Sequence, residues 1–124
     1  MFKALKPTLA ASIIAATFSF NTFAADVEKI HFLIPGGAGG GWDMTARGTG
    51  DVLVKSDIVE NVSFQNLSGG GGGKAIAHLI ETAQRQEDTL MVNSTPIVVR
   101  SLTGIFPQSF RDLTPVAARA GAYF

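Results

Sequence analysis

Two glycine-rich stretches, PGGAGGGWD over Pro35–Asp43 and SGGGGGK over Ser68–Lys74, constrain this chain more than any other feature. Each follows a short apolar run and precedes a segment with helical periodicity. KIHFLI (Lys29–Ile34) is rich in apolar residues and stops at Pro35 and the first glycines, as a buried strand does. WDMTARGTGDVLVKS (Trp42–Ser56) reads as a helix with Met44, Gly48, Asp51 and Lys55 on one side and an apolar surface at Ala46, Val52 and Val54. Gly48 and Gly50 each weaken that helix by roughly 1 kcal/mol relative to alanine, so packing has to hold it. NVSFQNL (Asn61–Leu67) alternates imperfectly and reads as a second strand. KAIAHLIETAQR (Lys74–Arg85) is the strongest helix, with Ile76, Leu79, Ile80 and Ala83 at i, i+3, i+4, i+7 spacing. DTLMVNS (Asp88–Ser94) reads as a third strand and TPVAARA (Thr114–Ala120) as a fourth. A strand, glycine loop and helix, repeated and followed by further strands, is the grammar of βαβ units. The expected class is α/β with mostly parallel strands.

Both loops therefore fall after a strand's carboxyl end and before a helix's amino end. A helix start presents unpaired N–H groups and a partial positive charge, and glycine lets an anion approach the backbone closely. Open parallel sheets bind ligands in the crevice beyond the carboxyl ends of their strands. The pair of loops reads as an anion-recognising edge, with plain flexible turns as the alternative.

Nucleotides fit poorly. A dinucleotide fingerprint counted from Gly37 finds Gly39 and then Trp42 where the third glycine belongs, and an indole blocks the close helix–strand contact that glycine permits. A phosphate-binding loop counted back from Gly73-Lys74 finds Ser68 at its first glycine and Ala75 at its metal-binding hydroxyl. Ser68, Ser94 and Ser101 lack a nucleophile-elbow context, and Asp43 and Asp51 are two helical turns apart. Nothing in the sequence argues for an enzyme. With no cysteine, disulfides and thiolate metal sites are excluded, and His31 and His78 have no second ligand at metal spacing. No cofactor is implied. The balance of 10 basic and 10 acidic residues suggests neither nucleic acid nor an anionic membrane surface as a partner.

Residues 1–24 differ from the rest. Lys3 and Lys6 precede an apolar run from Thr8 to Phe20, and NTFA places Thr22 and Ala24 where a signal peptidase inspects. The run is shorter than the ~20 residues that span a bilayer. It reads as a secretory leader cleaved after Ala24, which places the mature, slightly acidic product in the periplasm.

FLIPGGAGGGWDMTAR, VSFQNLSGGGGGKAIAHL, DTLMVNST and FRDLTPVAARAGAYF together resemble, in order and spacing, the substrate-binding receptors of tripartite tricarboxylate transporters, the Bug-type periplasmic proteins. The resemblance runs from near Lys29 to the end. It includes the proline, glycines, aspartate and arginine of the first loop, the N-x-x-G-G-x-G from Asn66 and the D-x-x-P-V from Asp112. The GGGWD form is nearer the tricarboxylate-binding branch than the broad group. The resemblance implies a fold like type II periplasmic binding proteins, in which two α/β domains clamp a ligand. These 124 residues would then be the leader (1–24) and the first part of domain one (25–124).

The implied function is capture of a small, citrate-like di- or tricarboxylate for delivery to large and small membrane-embedded transporter subunits. Backbone N–H groups of Gly39, Gly40 and Gly41 would hold one carboxylate. Asp43 would cap the helix or accept from a substrate hydroxyl, and Ser94 and Thr95 would offer hydroxyls on the same edge. Arg47 would pair with Asp43 one turn away. Gly70 to Gly73 would order the second loop. Three other classes share these features. They are a receptor feeding a membrane sensor, a secreted interaction module exposing SFRDLTPVAARAGAYF, and a hydrolase with catalytic residues in a further C-terminal part.

Overall fold

The computed structural model describes residues 27–85 and 87–118. The leader and its cleavage point after Ala24 lie outside them. Strand β1 (Lys29–Ile34) leads through the first glycine loop into helix α1 (Gly41–Lys55), followed by β2 (Asn61–Asn66). A 3-10 turn at Gly70–Gly72 runs into α2 (Gly73–Thr82), which tails off in a second 3-10 turn at Ala83–Arg85. Then come β3 (Thr89–Met91), α3 (Thr95–Leu102) and a last 3-10 turn at Phe110–Asp112. The strands form one sheet in the order β2-β1-β3. Both pairings are parallel, and Phe32 faces Phe64 on one side and Leu90 on the other. This is the α/β arrangement of parallel βαβ units.

Phe32, Leu33 and Ile34 are all buried, which an alternating half-exposed strand would not show. Continuous burial requires cover on both faces, the usual state of a parallel sheet. On one face Phe32 and Ile34 pack with Ala46 of α1, joined by Ile30, Val62, Phe64 and Leu90. Ile76, Ile97 and Phe106 form a second cluster with Met91, drawing α2 and α3 together. Trp42 touches both clusters, so the start of α1 is wedged between them. Fully burying an isoleucine or phenylalanine contributes about 1.5–3 kcal/mol, several times the propensity of a short helix turn. These contacts therefore decide where the helices form.

Several expectations shift. The inward residues of α1 are Asp43, Ala46 and Gly50, with Leu53 partly buried, whereas Val52 and Val54 are exposed. The buried stripe follows the i, i+4, i+7 row from Ala46, which the helical period selects over a pair only two residues apart. The expected polar side is exposed, with Lys55 Nζ 2.6 Å from Asp51. Segment TPIVVRSL, rich in β-branched residues, is the helix α3. Pro96 suits a first helical turn, and the buried Ile97 anchors it. The fourth strand expected at Thr114–Ala120 is absent over Thr114–Ala118, which is exposed and unpaired, while Arg119 and Ala120 lie outside the described residues. Pro115 lacks the N–H that a strand ladder needs.

Candidate functional site

The amino end of α1 is reached from the carboxyl ends of the other two strands, by Asn66 at the end of β2 and by Ser94 after β3. Pro35, buried, ends β1, and the chain then turns through Gly36–Gly40. Gly40 N–H donates to the Gly37 carbonyl at 3.2 Å, and Met44 N–H returns to the Gly40 carbonyl at 2.9 Å, starting the helix. Gly39 has φ of +79°, a conformation that favours glycine.

Asp43 occupies the third helical position and is 3% exposed. Its carboxylate accepts from Gly39 N–H at 2.9 Å, from Arg47 Nε at 3.0 Å to both oxygens, and from Asn66 Nδ2 at 3.0 Å. Asn66 Nδ2 also donates to the Gly36 carbonyl at 3.0 Å. The Arg47 guanidinium lies over the Phe64 ring, 4.8 Å from its centroid. The Arg47 hydrogen bond, then the Gly39 N–H and the Asn66 amide, hold the Asp43 carboxyl well below the usual carboxylate range, against the opposing effect of burial. Asp43 lies in the first turn of α1 yet accepts from none of that turn's N–H groups; its bonds tie the glycine loop, β2 and Arg47 together instead. Its acceptor positions are filled by the protein itself, and the expected pairing with Arg47 is formed.

This rearranges the expected donor set. Gly39 and Gly40 both spend their N–H groups inside the loop, on Asp43 and on the Gly37 carbonyl. Their geometry makes the turn. Among the described residues the N–H groups of Gly41, Trp42 and Asp43 carry no hydrogen bond, the ordinary condition of a helix's first turn. Of the three glycines expected to hold a carboxylate, Gly41 is the one whose N–H is open. Ser94, the residue before α3, lies close by because Trp42 Nε1 donates to its Oγ at 2.9 Å. The indole nitrogen is donor-only, so Ser94 accepts here and its own hydroxyl proton is left to point elsewhere. Thr95 is exposed beside it, with no hydrogen bond of its hydroxyl among the described residues.

The second glycine loop is built differently. Gly69 to Gly72 all take positive φ. A Cβ on Gly72 would fall 2.8 Å from Ile97, and one on Gly73 would fall 2.7 Å from Phe106. Arg100 Nη1 donates to the Gly71 carbonyl at 2.9 Å. These glycines let the chain turn and let α2 and α3 approach. The first loop is less crowded at two of its glycines. There, a Cβ on Gly37 or Gly41 would meet nothing within 4 Å, and neither residue has positive φ.

Asn66 and the Trp42 N–H were not among the expected site residues. The signal for Asn66 was its place as a polar residue at a strand's carboxyl end, one step before the second loop. Two concavities, of about 320 and 250 Å³, lie elsewhere. The first runs between α1 and β2 beside Arg47, Asp51 and Phe64, and the second is near Lys29, His31 and Arg85. No family model matches the chain, and neither curated proteins nor solved structures yield a match.

Proposed function

We propose that this chain is the first part of domain one of a periplasmic receptor, of the type II binding-protein kind, that captures a small di- or tricarboxylate for a tripartite membrane transporter. The observation that carries this reading is the pair Gly37 and Gly41. Neither the turn nor the packing demands glycine at these two positions. Glycine nevertheless costs roughly 0.5–1 kcal/mol against alanine when a chain is ordered. What the bare backbone leaves accessible is the amino end of α1, with three unpaired N–H groups and the positive end of a 15-residue helix dipole. The nearest acid, Asp43, is neutralised by Arg47 and so does not repel an anion.

The test is calorimetry on the exported protein with citrate, tricarballylate and succinate, using ATP and NAD as controls. Binding of carboxylates but not nucleotides is expected, with a Gly41→Val variant that folds normally but has lost that binding. Nucleotide binding in their place, or undiminished carboxylate affinity in the folded variant, would overturn the reading.

A further inference from the structure

Asn66 joins two segments that the sequence keeps apart, the carboxyl end of β2 and the first glycine loop. One of its amide hydrogens goes to the Gly36 carbonyl and the other to Asp43 Oδ1, each at 3.0 Å. Both partners are acceptors only, and Arg47 Nη2, a donor, stands 3.5 Å from Asn66 Oδ1. The polarity of every neighbour therefore agrees with one orientation of the amide. Through Asp43 the same side chain reaches Gly39 N–H, so it fixes the loop at its first and fourth glycine-loop positions.

The consequence is a sorting of charges. The Gly36 carbonyl and the Asp43 carboxylate are two acceptors beside the start of α1, and either would repel an anion if it faced outward. Asn66 gives both an inward partner. We propose that Asn66 is a positioning residue that sets the first glycine loop in the form whose Gly36 carbonyl and Asp43 carboxylate are turned inward, away from a ligand at the start of α1. The ligand half of this inference rests on the carboxylate-receptor reading. The loop half does not.

The test compares the wild-type protein with Asn66→Asp and with the swapped pair Asp43→Asn/Asn66→Asp. Asn66→Asp is nearly isosteric but sets one carboxylate against another and against the Gly36 carbonyl. Hydrogen exchange at Gly39 should quicken about tenfold or more relative to amides of β1, matching loss of a charged hydrogen bond. The Asp43 carboxyl should titrate at higher pH, and citrate affinity should fall by a similar factor. In the swapped pair an Asn at 43 still accepts from Gly39 and now donates to the acid at 66, which Arg47 can meet. Gly39 protection should recover there, a rescue that simple loss of packing would not give. Unchanged Gly39 exchange in Asn66→Asp overturns the inference, as does unchanged citrate affinity in a variant whose Gly39 bond is lost. If wild-type protein fails to bind citrate, the receptor reading falls with the ligand half, and exchange and titration alone decide the role of Asn66.

Discussion

Gly48 and Gly50 are alike in sequence context and opposite in structure, and alanine at each separates helix propensity from packing. A Cβ on Gly48 would meet nothing within 4 Å. A Cβ on Gly50 would fall 2.8 Å from Phe64 Cζ, 3.2 Å from its Cε1 and 3.3 Å from Phe32 Cε2. The two rings are stacked, with centroids 5.5 Å apart and planes at 12°, and the Arg47 guanidinium lies over Phe64. Relief at Gly50 would have to come from pushing the Phe64 ring out of that stack toward the concavity it borders. Alanine for glycine inside a helix gains about 1 kcal/mol, and Gly48→Ala should realise most of it. Overpacking a tight contact costs about 1–3 kcal/mol, which at Gly50 cancels or outweighs the same gain. The two variants should differ by about 2 kcal/mol, or about 8–16 °C in Tm for a domain of this size. Thermal and urea unfolding followed by circular dichroism measures the difference. Equal stabilisation by both substitutions would mean that α1 does not approach β1 and β2 as closely as described.

Acid stability reports on the Asp43 network. Its carboxyl is held below the ordinary range, so the stabilisation is complete above the unfolded pKa of about 3.9 and is lost as pH falls below it. The urea midpoint should drop across that acidic window in wild-type protein, and Asp43→Asn should flatten this segment; a flat wild-type profile would contradict the network. In the second loop, Gly72→Ala meets both a φ of +103° and Ile97 at 2.8 Å. Together these should cost about 2–5 kcal/mol, whereas Gly37→Ala, in open space, should gain about 0.5–1 kcal/mol and raise the urea midpoint.

Local pattern and long-range packing differed in how far they could be read from the sequence. β1 has the bounds its apolar run and Pro35 suggested, and α1, β2 and α2 start within about a residue of expectation because their signals are periodic or punctuated by glycine. α3 was invisible because Val98 and Val99 favour strands in isolation, while Ile97 under Gly72 and the Arg100 bond to Gly71 hold the segment helical. The two glycine loops looked equivalent in sequence. Only the neighbours of each absent Cβ distinguish Gly72 and Gly73, pressed by Ile97 and Phe106, from Gly37 and Gly41, which meet nothing. At the candidate site, the spacing of Asp43 and Arg47 announced their pair, since four residues on a helix make neighbours. Asn66, 23 residues beyond Asp43, could be brought to it only by the parallel return of β2.

The central claim is that the unpaired N–H groups of Gly41, Trp42 and Asp43 receive a carboxylate. Titrating citrate into isotopically labelled exported protein, and following backbone amide resonances, tests this most directly. The amides of Gly41, Trp42 and Asp43 should shift together and saturably, with smaller changes at Gly39 and Gly40, whose N–H groups are already bonded. Shifts centred instead on Arg47, Asp51 and Val62, beside the concavity between α1 and β2, would contradict it.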